Sequence, residues 1–177
     1  MIRSALAALT AACAACAGLV AAVPAHAQVG DLVCLPPTSS TVTFDPPLTQ
    51  TPQTVDVHST NLFGPCTSTI VPGITSGTFG GTFHVPNRSC LTLAGAGTSA
   101  STITWNTGQT STLSLNFTTT IVGAVYTSVL TGTVTGGLFA GDSVVSNQTG
   151  PATDVLLCTL GLGTVSGIHT VGVITFV

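Results

Sequence analysis

The chain has 177 residues, 44% of them hydrophobic and only 4% charged, with two Lys or Arg residues against five acidic ones and a formal net charge of -3. Recognition of nucleic acid through its phosphates is excluded, because that requires clustered Lys and Arg. An acidic disordered tail is excluded too, since such tails combine low hydrophobicity with high charge.

The first element is a leader. Arg3 is followed by a long Ala- and Leu-rich stretch that closes on Pro24-Ala25-His26-Ala27. Small residues at Ala25 and Ala27 fit the pockets of a signal peptidase, and Pro24 breaks the apolar helix ahead of the cut, so residues 1–27 are expected to be a secretory signal peptide. Cys13 and Cys16 spell C-x-x-C but leave with that segment. Residues 28–177 are then expected to form a single all-β domain, released outside the cell. Past the leader no apolar run approaches the roughly 18 residues of a membrane span, so none is expected in the mature chain.

Four cysteines remain, Cys34, Cys66, Cys90 and Cys158. An even number in an exported chain reads as two disulfides. Three connectivities are open. Cys34 with Cys66 and Cys90 with Cys158 is favoured, as a nearest-neighbour loop followed by a long tie to the end of the chain. No metal-type spacing survives among them.

Strand composition begins at once. Residues from Gln28 onward include 32 Thr and neither Lys nor Glu. Thr and Val are β-branched and suit a pleated surface, whereas Lys and Glu favour helix. Val42 and Phe44 alternate with Thr41 and Thr43. Phe79, Phe83 and Val85 share one face, with Thr78, Thr82 and His84 on the other. Ile103 and Trp105 alternate with Thr102 and Thr104, and Leu113, Leu115 and Phe117 with Thr112, Ser114 and Asn116. Each pattern has the period of a strand with one wet face. Asn106-Thr107-Gly108 closes a hairpin between Ser101–Asn106 and Gln109–Ile121. The run from Val125 to Thr135 changes parity between Val129 and Leu130, which predicts a bulge. No segment shows a sustained helical period. The expected fold is all-β, an antiparallel β-sandwich or flattened β-barrel of about nine to eleven short strands, stapled by disulfides. Without Lys to guard strand edges, closure, prolines and disulfides must protect them.

Chemistry is sparse. No G-x-S-x-G string marks a hydrolase nucleophile, and the glycines from Gly161 to Gly167 miss the dinucleotide-binding spacing. Asp45 and Asp142 sit at turn signals, where short carboxylates accept local backbone hydrogen bonds. The best polar cluster is Asp56 with His58, two apart on a strand and so on one face, with His84 as a possible third member from its own strand. The plainer reading places them in solvent, opposite the inward Val55 and Val57. His169 has no ionisable partner nearby in sequence and is expected to be structural. Trp105 and the seven Phe residues are first of all core. No catalytic residue, metal site or cofactor is expected.

The leader ending Ala25-His26-Ala27, Val33-Cys34, Gly64-Pro65-Cys66, Gly73 to Gly77, Ser89-Cys90 and Thr135 to Asp142 together resemble the small secreted actinobacterial proteins of unassigned function. That likeness spans most of the mature chain and offers no catalytic residues. Gly137-Leu138-Phe139-Ala140-Gly141 is similar to a turn of allene-oxide-cyclase-like barrels, which implies a barrel as the alternative fold. The function expected first is a secreted, non-catalytic binding or surface-associated module, taking a cell-wall polymer, a glycan or a small apolar molecule. The alternative is a barrel carrying a small apolar ligand inside, and the third is a hydrolase or cyclase using Asp56 and His58.

Overall fold

The computed structural model describes residues 31–177. The leader read over residues 1–27, with Cys13 and Cys16, lies outside the described residues. In chain order the elements are β1 (Leu32–Cys34), β2 (Ser39–Leu48), β3 (Gln53–Phe63), β4 (Cys66–Ser68), β5 (Gly77–Arg88), a 3-10 turn (Cys90–Thr92), β6 (Gly95–Trp105), β7 (Thr110–Val122), β8 (Val125–Gly137), β9 (Ser143–Pro151), α1 (Thr153–Thr159) and β10 (Val165–Phe176). Strands β2, β3, β5, β6, β7, β8, β9 and β10 neighbour one another in that order, and β10 pairs back onto β2. Of the two architectures the sequence left open, the chain forms the barrel, closed and antiparallel. β1 pairs with the last residues of β10 and β4 pairs with β1, so these two strands extend the sheet outside the barrel.

Alternation explains which face each strand turns inward. On β7, Ser111, Leu113 and Leu115 are buried while Thr110, Thr112, Ser114 and Asn116 are exposed. On β9, Val144, Ser146 and Gln148 are buried between exposed Ser143, Val145 and Asn147. Hydroxyl and amide side chains on the outer face keep the closed sheet wet outside without formal charge. The hairpin expected at Asn106-Thr107-Gly108 is present: the Trp105 N–H donates to the Gln109 carbonyl at 2.9 Å, and the Gly108 N–H to the Trp105 carbonyl at 2.9 Å.

Two expectations are corrected. β8 runs in register through Val129 and Leu130, and its irregularity lies at Thr135, where Thr112 pairs with Gly136 but Leu113 with Val134. Val129 is simply an exposed apolar residue on the outer face, which mimicked a change of parity. The helix α1 was not expected. Its seven residues make barely two turns, too few for a helical period to emerge from the pattern.

Large side chains concentrate at the two ends of the barrel. At one end Trp105, Phe139 and Phe176 pack edge to face, with centroids 5.9 Å apart for Trp105 and Phe139 and 5.8 Å for Trp105 and Phe176. The Trp105 indole N–H donates to Ser111 Oγ at 2.8 Å, and that hydroxyl donates to the Leu138 carbonyl at 2.6 Å. Phe139 holds a left-handed backbone, φ 63°, between Gly137 and Gly141, which also have positive φ. The Gly-Leu-Phe-Ala-Gly turn thereby throws its aromatic ring into the barrel, and packing of the ring sustains a conformation unusual for Phe. The disulfide between Cys34 and Cys66 joins directly opposed residues of β1 and β4 at this end.

At the other end Leu48, Val55, Leu93, Val155, Cys158 and Val165 form a second buried cluster beneath α1. The disulfide between Cys90 and Cys158 ties α1 to the 3-10 turn. Both bonds match the favoured connectivity. The second closes a separation of 68 residues, for which loop-closure entropy gives about 4 kcal/mol of stabilisation.

A narrow barrel must coil its strands tightly, and glycine permits it. At Gly172 on β10 a Cβ would strike the Asn147 carbonyl oxygen on β9, with Gln148 Cα only 2.8 Å away. Gly172→Ala should therefore destabilise the protein by about 1–3 kcal/mol through overpacking of backbone against side chain. Urea titration followed by Trp105 fluorescence measures this; an unchanged midpoint would mean that the strands separate freely there.

Asp142, in the turn before β9, has a buried Oδ2 without a hydrogen-bond partner. Burial pushes its carboxyl above the ordinary carboxylate range, and the neighbouring Asp31 pushes it further. With the folded value raised, the group stabilises the fold below its ordinary value of about 4 and that contribution is lost as pH climbs through the raised value. Asp142→Asn should thus be more stable than the wild type at pH 7, with the difference shrinking toward pH 3. Thermal melts at the two pH values check it, and a difference that ignores pH would assign the effect elsewhere.

Candidate functional site

The polar cluster expected on β3 and β5 is only partly assembled. Asp56 and His84 face each other across the two strands, with His84 Nδ1 2.8 Å from Asp56 Oδ1. His58 stands apart, its Nδ1 2.9 Å from Thr82 Oγ1. The side chains of His84 and Asp56 are 74% and 48% exposed, on the outer surface of the barrel. Among the described residues no group of three or more His, Cys, Asp or Glu side chains could hold a metal ion. His169, on β10, hydrogen-bonds to Thr41 of β2 at 2.9 Å, also on the surface. These contacts join neighbouring strands, and none of Asp56, His58, His84 and His169 lines the interior cavity.

The space lies inside. Between the two packed ends, several inward positions carry small or polar residues: Ser40, Ser59, Ser99, Ser128 and Thr170. They leave a cavity of about 570 Å3, within the range of about 300–1,000 Å3 typical of small-molecule sites. Its walls are mainly apolar, from Val42 and Phe44 on β2, Val57 on β3, Phe79 and Phe83 on β5, Phe117 on β7 and Ile168 on β10. A second space of about 70 Å3 adjoins it toward the aromatic plug. The two share Asn61, Phe79, Ser99, Leu130 and Gln148 as lining residues.

A slit in the wall leads to this cavity. β5 and β6 pair only through Gly77 with Trp105 and Thr78 with Thr104. Beyond those pairs β5 bonds only to β3, and β6 only to β7. Phe83, Thr98, Ser99 and Ala100 line the cavity from the two lips, and all four are exposed. Pro86 lies on the unpaired edge of β5, where its missing N–H costs no ladder bond.

Polar groups are placed at two levels. Midway, buried Gln148 accepts a hydrogen bond from Thr170 Oγ1 at 2.9 Å, and Asn61 Nδ2 donates to Ser59 Oγ at 3.0 Å. Nearer α1, Arg88 and Tyr126 line the cavity. Arg88 Nη1 donates to the Thr92 carbonyl at 2.8 Å, while its Nε is buried without a partner. Burial pushes the Tyr126 hydroxyl above the usual phenol range, partly offset by the Thr119 side chain and the positive charge of Arg88. Tyr126 is accordingly a neutral hydrogen-bond donor at physiological pH.

Sequence reasoning missed Arg88, Tyr126 and Gln148. Gln148 had a signal, since it shares strand parity with Val144 and Ser146 and so faces inward. Arg88 had another: it is the one Lys or Arg among the described residues, immediately ahead of Ser89-Cys90.

The surface pair makes a modest contribution. Asp56→Asn and His84→Ala should each alter stability by no more than about 0.5 kcal/mol, as for exposed ion pairs generally, and denaturant titration will measure it. A loss several times larger would show that the pair organises more than its own surface. In comparison with known proteins, no family model, curated protein or solved structure matches the chain.

Proposed function

We propose that this protein is an extracellular, non-catalytic barrel that holds one small, largely apolar molecule in its interior. The observation that carries this reading is the cavity of about 570 Å3 between two well-packed ends. A folding chain gains by filling such a volume with side chains, and apolar walls left facing water forgo the stabilisation of burial that a bound apolar molecule restores. Small residues at Ser40, Ser59 and Ser128 keep it open. The export pattern of the leader and the two disulfides support an oxidising compartment outside the cytoplasm. A small apolar molecule suits this space better than a cell-wall polymer or a glycan, which would need an open groove along which a chain could lie. The expected hydrolase or cyclase loses its motive, since Asp56 and His58 lie on the outer surface, away from the cavity.

The fluorophore N-phenyl-1-naphthylamine, which brightens in apolar surroundings, tests the reading. The wild-type protein should bind it saturably at one site. Leu130→Trp, which fills the junction of the two spaces, should weaken that binding about tenfold or more. The reading is overturned if the wild type shows no saturable binding, or if Leu130→Trp folds and binds as the wild type does.

A further inference from the structure

Resting on the binding reading just given, we propose that the molecule held in the barrel is an apolar monocarboxylate whose carboxylate is received by Arg88, with Tyr126 as a second donor.

A guanidinium in an apolar wall is expensive to desolvate unless an anion or good acceptors compensate it. Among the described residues the one ion pair is that of His84 with Asp56, so no carboxylate reaches Arg88. Residues 1–30, which precede the described chain, contain no Asp or Glu. The chain therefore supplies Arg88 with no counter-charge. Its Nη1 bond to the Thr92 carbonyl holds the side chain in place beside the 3-10 turn, itself fixed to α1 by the Cys90 disulfide. Its Nε is enclosed without a partner, while the residue as a whole is half-buried and lines the cavity.

An ionised carboxylate matches the guanidinium of a residue that lines the cavity without a counter-charge. It accepts from a planar guanidinium at short range, and such charge-assisted bonds are about twice as strong as neutral ones. Tyr126 also lines the cavity, and its neutral hydroxyl can donate a further bond. Val57, Val85, Leu93 and Ile168 line the cavity as well and provide the apolar surroundings for the remainder of the molecule. One cation balances one negative charge. A phosphate monoester, with up to two, would leave charge uncompensated in an apolar space.

Displacement of N-phenyl-1-naphthylamine by decanoate, decanol and decyl phosphate reads the headgroup preference directly. The wild-type protein should bind decanoate about tenfold or more tightly than decanol. Arg88→Gln should reduce that ratio to within about threefold, and Arg88→Lys, which keeps the charge but loses the planar fork, should retain part of it. Equal binding of decanoate and decanol by the wild type overturns the assignment, although the fluorophore and both ligands still bind and the carrier reading stands. Tighter binding of decyl phosphate than of decanoate overturns it as well. If Arg88→Gln does not fold, the wild-type ratio together with Arg88→Lys decides. Should neither the fluorophore nor any of the three ligands bind, it is the carrier reading that fails.

Discussion

Closing eight strands on one another sets an internal width before any side chain is chosen, and the residues on the inner face must then fill it. Here they fill it unevenly. Trp105, Phe139 and Phe176 occupy one end, and Leu48, Val55, Val155 and Val165 the other, all buried. The middle layer includes Ser40, Ser59, Ser99, Ser128 and Thr170, which are too small to meet across the axis. The cavity is what remains when a fixed circumference meets short side chains. Its position, its apolar walls and its two polar levels all follow from the order of large and small residues along each strand.

The same closure protects the strand edges of a nearly uncharged chain. Edge strands are commonly guarded by Lys, and this chain has none. Pairing β10 with β2 removes the two edges that an open sheet would leave. The outer strands β1 and β4 are only three residues long each, and a disulfide links them. What edge remains on β5 includes Pro86, and the facing strand β6 begins with Gly95, Ala96 and Gly97. Proline offers no donor there and glycine no apolar side chain, so neither lip makes a strong template for a foreign strand.

Much of this was legible in the residues. Thr41, Val42, Thr43 and Phe44, or Thr112 through Phe117, announce strand and face together because a period of two has one meaning on a pleated surface. Chain order favoured the observed cysteine pairing but left the other two connectivities open. Barrel and sandwich were not distinguishable, since both use the same alternation and differ only in whether β10 reaches β2, a contact between residues more than a hundred positions apart. Asp56, His58 and His84 attracted notice as rare ionisable groups in a hydroxyl-dominated chain, yet their parity places them outside the barrel. Arg88 and Tyr126 went unseen for the converse reason. Each is an isolated polar residue whose meaning depends on which strands curl around it, and that is a property of closure, not of local sequence.

The gap between β5 and β6 is fastened at both extremities. Two residue pairs join the strands beside the aromatic plug, and at the opposite extremity the connector containing Cys90 is covalently moored to α1. Such a buttonhole can bow in its middle but cannot peel apart from either corner. On the proposed carrier reading, a slit fastened in this way admits slender or flat molecules more readily than branched or globular ones. Selection by girth would then act at the threshold, ahead of any selection by chemistry within.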